Sequence, residues 1–373
     1  MSNNSKTIGL AVIGCGTIGR IRAEFARDYP GVGWLGLCDI KDDLRTELAA
    51  DTKADFQTAD FEELLKRPEV DAVIIATDEN HHMAPTIMAA DAGHALFIEK
   101  PLATDVRESR AVLESIESNG VDAVIGYTQR FRRRFLTVKE RLMTGQIGEV
   151  TGVVTRALMN RMVPIATVQR TNQRENLTPM VVSGTHALDM CMWLMEGKTP
   201  VSLYAQSNDK ALSHYGTKDS TFGIFTMDDG TMFSMNISWA APVIWPGAVY
   251  GLEIGIIGEK GVIDIEDTHR DTIIASEIPQ GAGYAPDGFT PEFQRHVDFM
   301  TSYPPGDIYN NQLWGPMREE TFSWYQRLCA NLDTPHATAQ DGHRNLLLTM
   351  AMDKSSKLGE RIDLPLDIDD YYT

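Results

Sequence analysis

Apolar residues fall in short continuous runs over the first third of the chain: Ile8–Ile13, Trp34–Cys38, Ala72–Ala76, Ala95–Glu99 and Ala123–Gly126. Continuous runs, unlike alternating ones, predict strands covered on both faces, the signature of a parallel sheet. Between them apolar positions recur at helical spacing, predicting helices near 17–27, 42–50, 61–66, 84–92 and 106–118. Strand–helix alternation makes this stretch a doubly wound α/β domain. Beyond about residue 148 the pattern alternates instead. Val150–Leu158 and Val201–Gln206 read as strands, and Asp219–Trp239 reads as a hairpin turning at Asp228-Asp229-Gly230. Leu252–Ile257 and Gly261–Ile265 form a second hairpin. Helices are expected at 183–195, 293–301, 319–330 and 344–358. The second half is therefore α+β with a mixed, largely antiparallel sheet. The division expected is 1–126 and 127–373, with the helix near 344–358 packing back on the first domain. Residues 280–316, rich in Gly, Pro and Tyr, read as a long excursion or lid.

Composition narrows the class. A chain of 373 residues exceeds one ordinary core, which agrees with two domains. With 34 basic against 52 acidic residues, the net charge of −18 argues against nucleic acid or an anionic membrane as partner. The one local exception, Arg130-Phe131-Arg132-Arg133-Arg134, reads as the start of a solvated helix with one arginine turned inward. Cys15, Cys38, Cys191 and Cys329 are far apart and lack Cys-x-x-Cys spacing, so neither a zinc site nor a disulfide framework is indicated. The adjacent His81 and His82 lack further ligands nearby, so no metal is expected. The chain start lacks the apolar core of a signal peptide and no run reaches membrane-spanning length. A soluble cytoplasmic protein is expected.

The first strand breaks into Gly14-Cys15-Gly16-Thr17-Ile18-Gly19. In a strand–turn–helix context this spacing is a dinucleotide fingerprint: Gly14 permits the turn, Gly16 lets backbone approach a pyrophosphate, and Gly19 lets the helix pack close. The amides at the helix start, Thr17 and Ile18 among them, would hold the phosphates. The next strand ends in Asp39-Ile40, where an acid would take the ribose hydroxyls of an adenosine. A carboxylate there favours NAD over NADP, and Lys41 leaves NADP possible. Ligands of open parallel sheets sit beyond the carboxyl ends of the strands. That rule selects Thr77, Asn80 and His81, then Glu99 and Lys100 before Pro101, then Tyr127, Gln129 and Arg130. Lys100 is either a desolvated acid/base group or a surface lysine at a strand end. In Ser183-Gly184-Thr185-His186-Ala187-Leu188-Asp189, His186 and Asp189 share one helical face. His186 is either a tuned acid/base group or a core histidine with a local partner.

Together these motifs resemble the Gfo/Idh/MocA family of glucose–fructose oxidoreductase-like and inositol dehydrogenase-like enzymes. The resemblance runs along nearly the whole chain, through the glycine motif, Ala76-Thr77 with Asn80-His81, Glu99-Lys100-Pro101-Leu102-Ala103, Gly126 to Phe131, the histidine helix and Asp341-Gly342. It implies a Rossmann domain followed by an open-faced sheet through which the chain forms a homodimer or homotetramer. It also implies an NAD(P)-dependent oxidoreductase of a sugar, glycoside or cyclitol alcohol. Lys100 and His186 match the family's catalytic lysine and histidine. Tyr127, Arg130, Asn160, Arg161, Thr185 and Asp189 are the expected substrate-lining residues. Inositol dehydrogenase-like members usually carry an aspartate four residues before the histidine, where this chain has Val182. Two other activities fit the same motifs: a non-catalytic NAD-bound regulator of sugar metabolism, and an NAD-dependent glycosidase.

Overall fold

A computed structural model describes residues 7–162, 164–165, 177–242, 250–266, 272–280, 295–300, 306–310 and 312–372. The chain forms two compact units, Met1–Phe131 with Leu313–Leu346, and Arg132–Gln312 with Leu347–Thr373. The first contains β1 (Ile8–Ile13), α1 (Thr17–Asp28), β2 (Val32–Cys38), α2 (Asp42–Thr52), β3 (Phe56–Thr58), α3 (Phe61–Leu65), β4 (Ala72–Ile75), α4 (Met83–Asp91), β5 (Ala95–Ile98), α5 (Val106–Asn119) and β6 (Ala123–Ile125). Strands pair in parallel in the order β6-β5-β4-β1-β2-β3. Every residue of β1 and β4 is buried, as their unbroken apolar runs require. α5 starts where the Asp105 carboxylate accepts the amides of Arg107 and Glu108 at 2.8 and 3.1 Å. β3 escapes a pattern search because it is a three-residue edge strand with one apolar side chain. Ala337–Thr338 adds an antiparallel strand beside β6, a pairing that only distant sequence supplies.

The second unit contains α6 (Arg133–Met143), β7 (Val150–Asn160), α7 (Thr185–Leu194), β8 (Pro200–Asn208), β9 (Ser220–Met227), β10 (Met232–Ala241), β11 (Tyr250–Gly258), β12 (Gly261–Ile265), β13 (Thr272–Gln280) and β14 (Arg295–Met300). Its main sheet runs β12-β11-β7-β10-β9-β8, with only β7 and β10 parallel among these pairs. One face is core: Phe225, Phe233, Met235 and Ile254 pack with Leu188 and Cys191 of α7. The other face leaves Val154, Tyr204, Phe222, Ile224 and Met232 between 42% and 57% exposed. Register places Tyr204 opposite Ile224, and Ser234 beside both Ile224 and Val154, so this apolar surface crosses four strands.

Three expectations change. Within the helix expected at 293–301, the described residues 295–300 are a strand: β14 pairs antiparallel with β13 from Thr272↔Met300 to Gln280↔Arg295. The segment His296-Val297-Asp298-Phe299 alternates polar and apolar residues, and an available partner strand overrides its helical spacing. The remainder of the expected lid is described only at 306–310 and from 312 onward, where Asp307–Tyr309 and Gln312–Trp314 are short strands; 281–294, 301–305 and 311 lie outside the described residues. Helices α8 (Pro316–Ala330) and α9 (Ala339–Leu358) follow. α9 does not simply return to the first unit. From Leu347 it belongs to the second, where Leu348, Ala351 and Met352 enter the core. The basic run buries two arginines, Arg130 and Arg132, at 3% and 2% exposure.

Candidate active site

In the first unit the site grows from the turn after β1. Gly14 holds φ +100°, and a Cβ there would lie 2.4 Å from the Ala76 carbonyl oxygen and 2.6 Å from the Thr77 nitrogen. A Cβ on Gly19 would lie 1.8 Å from the Gly14 oxygen. These two glycines let turn, helix and the end of β4 close on one another. Gly16 differs, since a Cβ on it would meet nothing within 4 Å. It leaves bare backbone at the start of α1 and caps that helix with no side-chain hydrogen bond. Half-buried Asp39 accepts the Cys15 amide at 2.7 Å and the Lys41 amide at 2.8 Å, which fixes the acid against the glycine turn. Ile40 beside it is 84% exposed. Thr77 Oγ1 is buried with no hydrogen-bond partner among the described residues. An uncapped helix start, an open glycine, a fixed acid and an orphaned hydroxyl fit a dinucleotide.

The neighbouring loops are knitted together by side chains that the sequence motif does not reveal. Asn80 accepts the Thr104 hydroxyl at 2.8 Å, whereas His81 is exposed. The buried histidine is His82. Its ring spans the Pro101 oxygen at 2.9 Å and the Thr77 oxygen at 3.1 Å, and a neutral ring donates to one of them. It thereby ties the Thr77 loop to the loop bearing Lys100.

Lys100, half-buried at the end of β5, precedes a cis peptide to Pro101. Burial pushes its ammonium below the ordinary lysine range, and the Glu79 and Glu99 carboxylates only partly oppose this. Glu99, expected at the cofactor, turns its Oε1 to Arg22 of α1, whose Nε and Nη2 both stand 2.8 Å away. Arg22 is fully buried and reaches Glu320 of α8 at 2.7 Å with the same Nη2. Its Nη1 bonds the Thr321 hydroxyl and the Met317 carbonyl, and its guanidinium lies 4.3 Å over the Phe97 ring. Glu320 also accepts the Thr128 hydroxyl at 2.9 Å. Burial lifts its carboxyl to about 7, with Glu99 adding to the rise and Arg22 opposing it. Of the loop after β6, Tyr127 and Gln129 are each 1% exposed, and Arg130 is ion-paired to Asp341 at 3.2 Å.

In the second unit, α7 does not begin with a Ser or Thr cap. A π turn, Met180–Gly184, runs directly into it, and Gly184 is the N-cap without a side-chain bond. Ser183 instead accepts the Trp239 indole N–H at 2.9 Å. From Pro179 to Met192 every residue is buried except His186, which is half-buried. The turn thus presents one polar side chain from an otherwise closed helix. Thr185 and Asp189 are buried at 1% and 0% exposure. Asn160, at the end of β7, accepts the Met162 amide at 3.0 Å, and Arg161 donates to the Ala240 carbonyl at 2.7 Å. Val182 is a core residue, 6% exposed. An acid from another helix, half-buried Asp353 of α9, accepts the Thr178 hydroxyl at 2.5 Å just before the turn. Burial raises its carboxyl to about 7. Sequence reading missed Arg22, His82, Glu320 and Asp353; none lies in a short motif. Among the described residues no cluster of His, Cys, Asp and Glu could hold a metal, and no helix is long and apolar enough to cross a membrane.

Comparison with known proteins matches residues 8–127 to an oxidoreductase family's NAD-binding Rossmann fold, and residues 135–264 to the Gfo/Idh/MocA C-terminal domain. An inositol 2-dehydrogenase of Rhizobium meliloti (strain 1021) is 27% identical over 312 residues, covering 82% of this chain and 87% of the relative. A scyllo-inositol 2-dehydrogenase (NAD(+)) of Bacillus subtilis (strain 168) is 26% identical over 260 residues, covering 68% and 72%. In fold, the chain is similar to scyllo-inositol dehydrogenase from Lactobacillus casei, solved with bound NAD(H) and scyllo-inositol. The TM-score is 0.76 at 18% identity, over 96% of this chain and 99% of that one. With both parts matched in chain order over more than half its length, the chain belongs to the Gfo/Idh/MocA family and is an NAD-dependent oxidoreductase of CH–OH groups.

Proposed function

We propose that the chain oxidises a secondary ring alcohol of an inositol-type cyclitol, with sugars and glycosides as the related substrates. The observation that carries the reading is Lys100, a lysine held below its ordinary basicity at the strand end next to the dinucleotide cradle. The similarity to inositol dehydrogenases supports the substrate class. Oxidising a carbinol removes a hydride from carbon and a proton from oxygen, leaving a ketone. Bound NAD supplies the hydride acceptor. The remaining work falls to the protein: Lys100 hydrogen-bonds the carbinol oxygen and His186 takes its proton. Bare backbone at Gly16 and the start of α1, with Thr17 and Thr77, would hold the phosphates in the turn that Gly14 and Gly19 allow to close, while Asp39 would accept from the ribose hydroxyls and disfavour a 2′-phosphate. The exposed face of Val154, Phe222, Ile224 and Met232 supports assembly with a second copy of the chain.

The test is NADH formation against inositols, monosaccharides and glycosides, using the wild type, Lys100→Ala and His186→Ala. Turnover of an inositol is expected, with each variant slowed about a hundredfold or more. No NADH with any cyclitol would overturn the substrate class, and wild-type rates in both variants would overturn the roles.

A further inference from the structure

We propose that Arg22 and Glu320 are positioning residues for Lys100, acting through Glu99: Arg22 clamps the carboxylate next to Lys100, and Glu320 sets how far that clamp neutralises it. This rests on the role given to Lys100 above. Two of the guanidinium nitrogens converge on one Glu99 oxygen at 2.8 Å, so the side chain preceding Lys100 has one fixed direction. The clamp itself cannot drift. Arg22 is fully buried, stacks on Phe97 of the same strand, and is tied at its far edge to Thr321 and the Met317 carbonyl. Glu320 is in turn held by Thr128, which joins the β6 loop to the same cluster. A buried cation between two carboxylates is weak as a source of stability, because desolvation cancels most of its attraction. It is strong as a device for direction.

The cluster also has a charge logic. Glu99 and Glu79 are the carboxylates that favour the charged form of Lys100. Arg22 divides its charge between Glu99 and Glu320, so an ionised Glu320 leaves more of the Glu99 field acting on Lys100. With Glu320 protonated, Arg22 neutralises Glu99 more fully and Lys100 gives up its proton more readily. Two other titratable groups that feel the Arg22 charge are held away from neutrality by burial. His336, 3.0 Å from the Glu320 carbonyl, is held at about 3 by burial, and Tyr325 is pushed well above its ordinary range. Glu320 itself stands at about 7. It is the group through which neutral pH reaches Lys100.

The test uses Glu320→Gln, which keeps size and hydrogen bonding while mimicking the protonated acid, and Arg22→Lys, which keeps the charge and loses the fork. Acetylation of Lys100 by acetic anhydride is followed against pH by peptide mass spectrometry on the protein without substrate. The midpoint in Glu320→Gln is expected to fall by about half a pH unit or more. In myo-inositol oxidation, Arg22→Lys is expected to lower kcat about tenfold while KM and the NAD Kd change less than about twofold. An unchanged Lys100 midpoint, or a wild-type kcat in Arg22→Lys, overturns the proposal. Lys100→Met separates the two readings. If it retains full turnover, the catalytic role of Lys100 fails, whereas the labelling shift still reports the coupling.

Discussion

At the scale of single residues, burial decides chemistry more than residue type does. His81 and His82 are neighbours in sequence, yet one is exposed and the other bridges two carbonyls in the first unit. His336 shows what such burial does to stability. Its folded state binds a proton only near pH 3, against an ordinary value of 6.5, chiefly through desolvation. The unfolded chain therefore holds the extra proton between those values, and the contribution of His336 to stability is lost as pH falls through that window. Glu320 works the other way: its folded value is raised from 4.5 to about 7, so its contribution is present at low pH and lost as pH rises through that interval. Urea melts of His336→Gln against the wild type isolate the first effect. The wild type is expected to lose up to about 1.4 kcal/mol more per pH unit than the variant on acidification below about pH 6. Parallel curves would show that His336 is not buried neutral.

At the scale of elements, the π turn before α7 presents His186, the residue proposed as the second unit's part of the chemistry. One extra residue per turn is uncommon and, where it occurs, re-aims the side chains that follow. Here His186 is the one position between Pro179 and Met192 that is not buried. Thr178 starts this segment. Its hydroxyl donates to Asp353 of α9, and its carbonyl accepts the Val182 amide at 3.1 Å. Thr178→Val would leave the half-buried Asp353 carboxyl without that donor and is expected to cost about 1–3 kcal/mol in urea melts. Asp353→Asn, measured below pH 7, is expected to cost less than about 1 kcal/mol, because that carboxyl is already held protonated there. Equal losses in the two variants would contradict a protonated Asp353.

At the scale of the whole molecule, the chain passes between its two compact units three times, at residues 131–132, 312–313 and 346–347. The second unit closes a core on one face of its sheet and leaves the other apolar and open. Tyr204, Ile224 and Val154 occupy that face across β8, β9 and β7, where a lone monomer would leave the hydrophobic contribution of each side chain unused. Sedimentation of the wild type is expected to give a multiple of 41.4 kDa. Phe222→Asp with Ile224→Asp is expected to give the single-chain mass. A wild-type monomer would remove this reading of the face.

Local pattern determined a good deal. Unbroken apolar runs marked the five inner strands of the parallel sheet, because burial on both faces leaves no polar period. Glycine spacing with Asp39 marked the dinucleotide cradle, because the turn's steric demands fall on residues close together in the chain. Lys100 and His186 were legible as candidates through their place at a strand end and a helix start. What lay beyond reach depended on contacts between distant residues. Arg22 meets Glu99 and Glu320 across 77 and 298 positions of chain, and Asp353 meets Thr178 across 175. The strand at Arg295–Met300 needed a partner to outweigh its helical spacing. Periodicity records how a segment meets a core; which charges that core places side by side is decided only when the sheet orders its strands.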